Sequence, residues 1–193
     1  MSDFSSTGKR HYCERCKYPL KTCICSGLSR VETRIKISIL QDPIESKHAK
    51  NTARLALLML ENATVYVGLT PDDFTDVQNL VKHSKKTLLI YPSDQATKLT
   101  EVQNVKQCDH LILLDATWRK AKKLWLNNPW LHNLTACAIE PEQTSAYHIR
   151  KAPDNNSLST LEALAETLRV VEGVNPKPFM SLLADMQKHW PKV

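Results

Sequence analysis

Five short apolar runs constrain the fold most: IKISIL (35–40), TVYVGL (64–69), TLLIY (87–91), LILLDA (111–116) and TACAIE (135–140). Each has the length of a strand and is rich in β-branched or aliphatic residues. Near-continuous apolar strands of this kind are buried on both faces. Helix-type segments lie between and after them: KHAKNTARLALLMLEN (47–62), TWRKAKKLWLNN (117–128), STLEALAETLRVVEG (159–173) and FMSLLADMQKHW (179–190). The alternation predicts an α/β fold, a mostly parallel sheet with helices on both faces. The chain of 193 residues fits one such domain with a small appendage, and buries a core without covalent staples.

Charge and motif content narrow the function. Lys and Arg number 26 against 20 Asp and Glu, a formal charge of +6. Such an excess suits a polyanion, because cations gain by releasing counterions from phosphates; a solvated basic surface is the plainer reading. With four glycines and neither GxGxxG nor GxxxxGK[ST], a Gly-rich phosphate loop is not expected. No apolar run approaches the ~18 residues of a membrane span. The polar N-terminal stretch MSDFSSTGKRHYCERC lacks a signal h-region. We therefore expect a cytoplasmic protein whose thiols stay reduced.

Four of the six cysteines, Cys13, Cys16, Cys23 and Cys25, fall within CERCKYPLKTCIC as C-x2-C-x6-C-x-C. Four thiolates form a tetrahedral set for a soft divalent metal, and leave no position for a catalytic water. The spacing predicts a structural zinc knuckle over residues 1–30, bounded near Gly27–Arg30. Cys108 and Cys137 read as packing residues.

Several stretches carry residues suited to chemistry. In LILLDATWRKAKKLW (111–125), Asp115 sits at a strand's carboxyl end, where ligands bind in parallel sheets; a helix-entry acid is the alternative. Thr117 is placed to cap the following helix. Trp118, Ala121 and Trp125 share one helical face and read as core. Arg119, Lys120 and Lys123 share the other, as a solvated face or a phosphate track. Ser159 and Glu162 form an S-x-x-E capping box, and the helix entry there offers amides to a carboxylate or phosphate. The loop YHIRKAPDNNS (147–157) carries Tyr147, His148, Arg150 and Lys151, suited to single-stranded RNA or to a polar connection. LQDPIESKHAKNTARL (40–55) offers Asp42, Glu45, His48, Lys50, Asn51 and Arg54 for acid–base work, or as a strand-to-helix connection.

Together these pieces resemble the DTW-domain family of RNA aminocarboxypropyltransferases. The resemblance rests on CERCKYPLKTCIC, Asn51–Thr52, Tyr91–Ser93, Asp115–Trp118 and Ser159–Ala163, in the family's order. It implies a SPOUT-like domain over 31–193 with a C-terminal trefoil knot that binds S-adenosylmethionine. It implies transfer of the 3-amino-3-carboxypropyl group to N3 of a uridine in tRNA, releasing methylthioadenosine. The implied cofactor pocket takes Tyr91, Pro92 and Ser93, then Leu114, Asp115, Ala116, Thr117 and Trp118, then Ser159, Thr160, Glu162 and Ala163. Asp115 is the implied base at N3, or else the partner of the cofactor's ammonium. Arg119, Lys120, Lys123, Arg150 and Lys151 are the expected RNA contacts, joined on the knuckle by Arg10, Arg15, Lys17 and Lys21. One position departs from the pattern: Asp42 stands where a histidine is expected before Pro43, whereas Glu45 matches. The rival readings are a SPOUT-type methyltransferase using the same cofactor and a non-catalytic zinc-containing RNA-binding protein.

Overall fold

The computed structural model describes residues 11–140, 144–149 and 157–190. Arg10, Arg150 and Lys151 lie outside them. Six strands form one sheet: β1 (Lys36–Gln41), β2 (Ala63–Val67), β3 (Thr87–Ile90), β4 (Thr97–Lys98), β5 (His110–Asp115) and β6 (Thr135–Ala138). Their order is β2-β1-β5-β3-β6-β4, and every pairing is parallel. The five apolar runs are all strands, with ends within two residues of those expected. Strand β4 is the addition, two residues long on the β6 edge and too short to leave a periodic signal.

Helices α1 (Ala53–Met59), α2 (Thr75–His83), α3 (Trp118–Asn127), α4 (Thr160–Glu172) and α5 (Lys177–Gln187) cover both faces. Consecutive strand residues part company between them. Leu40, Leu89 and Ile112 join Phe74, Val77, Ala121 and Leu124 in one core, under α2 and α3. Ile37, Ile39, Leu88, Leu111 and Leu113 join residues of α1, α4 and α5 in the other. That is why the strands are apolar at nearly every position; each buried aliphatic side chain contributes about 1.5–3 kcal/mol.

Two helices depart from the sequence pattern. The segment 47–62 is helical only from Ala53, because a turn precedes it and the Asn51 side-chain oxygen accepts from the Arg54 amide at 3.3 Å. Helix α2 has no counterpart among the expected elements. A capping box between Thr70 and Asp73 starts the turn before it, and only Phe74 and Val77 are fully buried there. No helix among the described residues is long and apolar enough to cross a membrane.

The cysteine-rich segment packs on the α1, α4 and α5 side. Cys16, Tyr18 and Ile24 are buried in that core, and the Arg54 guanidinium lies 4.5 Å over the Tyr18 ring. Gly27 approaches α5 so closely that a Cβ there would lie 1.8 Å from Asp185 Oδ2.

Strand order also fixes where a ligand belongs. From adjacent β1 and β5 the chain leads outward in opposite directions, to β2 and to β6. Such a switch point opens a crevice at the strands' carboxyl ends, and Gln41 and Asp115 are the last register pair there.

At the opposite end of β5, His110 is fully buried, with Nε2 2.9 Å from the Ser38 hydroxyl and Nδ1 3.3 Å from Thr87 Oγ1. Burial pushes its pKa from 6.5 down to about 4; Lys36 adds to the effect and Asp109 opposes it. The unfolded chain therefore takes up this proton at higher pH than the folded one. Stability is complete above about pH 6.5 and falls as pH drops towards 4. In an NMR titration His110 should stay neutral to near pH 4, well below the ordinary imidazole value of 6.5. An ordinary midpoint for His110 would remove this contribution to acid lability.

Candidate active site

Asp115 ends β5 at 8 % exposure, and its carboxylate draws donors from three segments. Gln41 Nε2 of β1 donates to Oδ2 at 2.6 Å, and Asn51 Nδ2, from the turn before α1, reaches the same oxygen at 3.3 Å. The hydroxyl of Thr160, the first residue of α4, donates to Oδ1. Amide and hydroxyl donors of this kind are what a buried acid requires.

A second acidic group lies alongside. Glu45 is 3 % exposed and Asp42 is also buried. Lys120 Nζ reaches Glu45 Oε1 at 3.3 Å and Asp42 Oδ1 at 3.4 Å. Asp42 Oδ1 further accepts from the Ile44 amide at 2.8 Å, and Asn51 Nδ2 donates to the Glu45 carbonyl at 2.9 Å. The segment between β1 and α1 is thus tied to α3 by ion pairs and to Asp115 through Asn51.

Two cavities of about 160 Å³ each open at the carboxyl ends of β3, β5 and β6. One is lined mainly by apolar side chains, among them Ile90, Leu113, Leu114, Ile139 and Ala163. The other is lined mainly by polar side chains, among them Glu45, Lys50, Asn51, Asp115, Tyr147 and Ser159. Ala116, Trp118, Leu158 and Thr160 line both, so the two form one bipartite site. Trp118 stands at their junction, 46 % exposed, its indole Nε1 donating to Ser157 Oγ at 3.1 Å.

Helix α4 enters the site through the expected capping box. Ser159 Oγ accepts from the Glu162 amide, and the Glu162 carboxylate accepts from the Ser159 amide at 2.8 Å. Glu162 also accepts from the Ala146 amide at 2.6 Å and from the Ser145 hydroxyl, which fixes the loop leading to Tyr147.

Away from this site, the four knuckle sulfurs lie within 4.8 Å of one another. Cys13 Sγ is 3.6 Å from Cys25 Sγ, and Cys16 Sγ is 3.7 Å from Cys23 Sγ. A disulfide needs about 2.0 Å. Sulfurs placed 2.3 Å from a tetrahedral zinc stand about 3.8 Å apart. The donor set is compatible with zinc. Lys17 closes the first turn at φ 59, its amide donating to the Cys13 carbonyl at 2.8 Å.

The sequence profile of the DTW domain matches residues 10–190, nearly the whole chain. The chain belongs to the DTW domain family. It is 36 % identical over 171 residues to tRNA-uridine aminocarboxypropyltransferase 2 of Drosophila melanogaster, covering 85 % of this chain and 68 % of the fly protein. To the Mus musculus protein of the same name it is 32 % identical over 174 residues, covering 86 % of this chain but 58 % of that one. An Arabidopsis thaliana relative, tRNA-uridine aminocarboxypropyltransferase A, is 27 % identical over 133 residues, 60 % of this chain and 50 % of that protein. No solved structure matches the chain with significance.

The DTW segment Asp115–Trp118 and the helix entry at Ser159–Ala163 meet, as their shared cavity walls show. Of the residues expected at the cofactor, Tyr91, Pro92, Leu114, Asp115, Ala116, Thr117, Trp118, Ser159, Thr160 and Ala163 line the two compartments. Ser93 lines a neighbouring cavity, and Glu162 is buried behind the wall as a cap. Thr117 occupies the N-cap position, but its side chain makes no capping bond.

Two readings of α3 are corrected. Trp118 is not core; it lies at the cavity junction because the helix begins there, above the strand ends. Trp125 is half-buried and packs against the core under α2 and α3, as expected. Lys120 turns inward to Asp42 and Glu45, whereas Arg119 and Lys123 are exposed.

Around Asp115, the sequence offers Glu45, Lys50 and Asn51 for acid–base work and Tyr147 for RNA, whereas it does not single out Gln41. Asn51 and Glu45 carry the family resemblance, but only the β1–β5 register brings Gln41 to Asp115.

Replacing Glu162 with Ala leaves the Ser159 and Ala146 amides without their acceptor. We expect a loss of about 2–3 kcal/mol in urea unfolding, given buried donors left unmet. An unchanged midpoint would mean that the capping box does not hold α4 against the loop.

Proposed function

We propose that the chain transfers the 3-amino-3-carboxypropyl group of S-adenosylmethionine to N3 of a uridine in tRNA. The observation that carries this reading is the bipartite cavity with Asp115 in its polar half, in a chain whose relatives bear the name tRNA-uridine aminocarboxypropyltransferase. When bound, S-adenosylmethionine supplies a sulfonium-activated γ carbon, and methylthioadenosine is the second product.

The chain's own groups divide the work. Ile90, Leu113 and Ile139 give the apolar half a surface suited to a base and a thioether. In the polar half the capping box occupies the Ser159 and Glu162 amides. The Thr160 amide at the helix start is left for a ligand carboxylate, with Lys50 on the same wall. Orientation, rather than a different reagent, selects the γ carbon over the methyl. Asp115 is aimed by Gln41, Asn51 and Thr160 to take the N3 proton. N3–H grows acidic as its bond to carbon forms, so the acceptor must be well aimed rather than strongly basic. Because N3 lies on the Watson–Crick edge, the uridine is turned out of pairing. Arg119 and Lys123 are exposed on α3 beside the site, and Arg15, Lys17 and Lys21 on the knuckle, to meet phosphates.

Incubation with tRNA and cofactor labelled separately in carboxyl and methyl carbons should transfer only carboxyl label. Methyl transfer would identify a methyltransferase, and neither label a non-catalytic binder. Asp115→Asn should slow carboxyl-label transfer by about 100-fold or more, the scale of a lost acid–base group. Full rate with unchanged cofactor affinity would remove Asp115 from the proton step.

We propose further that the knuckle holds one structural zinc on Cys13, Cys16, Cys23 and Cys25. Metal analysis should find one zinc per chain, and Cys16→Ser should lose it with a lower Tm. A metal-free wild type of equal stability would refute this assignment.

A further inference from the structure

Next to the bipartite site lies a larger cavity of about 540 Å³. Its walls are the loop after β3, Lys122 and Trp125 of α3, and the segment around His132 that leads into β6. Tyr91 and Pro92 line both this cavity and the apolar compartment, so the two are neighbours.

The distinguishing feature is a tier of three rings. Trp125 stacks on Tyr91 with centroids 5.9 Å apart and planes at 29°. His132 lies 4.0 Å from Trp125 at 33°, and its Nε2 is 2.9 Å from the Trp125 carbonyl, which fixes the imidazole. Tyr91 is buried, Trp125 half-buried, and His132 and Lys122 are exposed, so the tier runs from core to solvent. Packing α3 onto the sheet accounts for the inner two rings. It gives no reason for a fixed, exposed imidazole and a cation on the wall of an open cavity.

We propose that this cavity binds a second unpaired nucleotide of the RNA, a neighbour of the acceptor uridine, with its base against the Trp125–His132 pair and its phosphate at Lys122. The inference rests on the reading of the protein as an RNA-modifying enzyme and deepens it. Turning the acceptor out of its stack strips the adjoining base of a stacking partner. An aromatic platform beside the reaction site restores that contact and tolerates any base, because every base has a π-face. Ser93 and Asp94 on the same wall are acceptors for a ribose 2′-hydroxyl, which DNA lacks. The proposal adds no chemistry; it assigns the cavity to substrate grip.

The test is equilibrium binding of a short single-stranded oligoribonucleotide containing uridine, the same sequence as duplex, and its DNA counterpart. Wild type, His132→Ala, Lys122→Ala and Trp125→Leu are compared, with folding checked by thermal melt and S-adenosylmethionine binding measured in parallel. We expect the single strand to bind best. Loss of the platform in Trp125→Leu or His132→Ala should weaken it about 10-fold or more. Lys122→Ala should flatten the salt dependence by roughly one unit of slope. Because Trp125 touches Tyr91 and the inner core, His132→Ala and Lys122→Ala carry the test if Trp125→Leu does not fold. Equal single-strand binding by wild type, His132→Ala and Lys122→Ala overturns the proposal while leaving the enzyme reading intact. A wild type that binds S-adenosylmethionine but no RNA overturns the RNA reading, and this proposal with it. Equal affinity for DNA refutes the role given to Ser93 and Asp94.

Discussion

A carboxylate buried at a strand end is stable only if donors surround it, and the donors around Asp115 dictate much else in this molecule. Gln41 must be in register on β1, Asn51 must hold its turn before α1, and Thr160 must open α4 at the right height. Each of these requirements is met by a different kind of bond. The register comes from the parallel ladder, the turn from Asn51 contacts with Glu45 and Arg54, and the helix entry from the Ser159–Glu162 box. The Lys120 ion pairs add a further restraint, since they join the same turn to α3. An acid with this much support is expensive to keep for packing alone, which is consistent with a role at the cavity it faces.

The cysteine knuckle stands in a different relation to the body. It reaches the core through Cys16, Tyr18 and Ile24, not through the cavity walls. Its exposed cations extend the basic surface, and none of them lines either cavity. The bipartite shape of the site has an analogous division: an apolar half built by strand residues, a polar half built by loops and a helix start. A shared indole and a shared threonine at the junction, Trp118 and Thr160, keep the halves in one piece.

Much of this was legible in the sequence because it depends on period. Strands buried on both sides leave unbroken apolar runs, and a capping box is a four-residue pattern, so β1, β2, β3, β5, β6 and α4 could be placed. Helix α2 could not, since few of its residues reach the core and its charged face resembles a loop. The inward turn of Lys120 was equally hidden. Helical spacing puts it with Arg119 and Lys123, and only the folded turn at Asp42 and Glu45 gives it partners. Trp118 was misread for a related reason: amphipathic patterning assigns a ring to the core wherever the apolar stripe runs, but the first turn of α3 projects beyond the sheet. The pocket walls from Tyr91–Pro92, Asp115–Trp118 and Ser159–Ala163 were reachable through the family resemblance, whereas Gln41 required the strand pairing itself.

The strand order carries a consequence for assembly. The fifth strand in the chain lies between the first and the third, and the last donor to Asp115 arrives on α4. The partners of that one side chain are 74, 64 and 45 positions away along the chain. A nascent polypeptide that has released only its first 150 residues owns most of the sheet but lacks the Thr160 donor to Asp115 and the α4 share of both cavity walls. The complete Asp115 environment is thereby a property of the finished molecule, and any fragment lacking α4 lacks part of it.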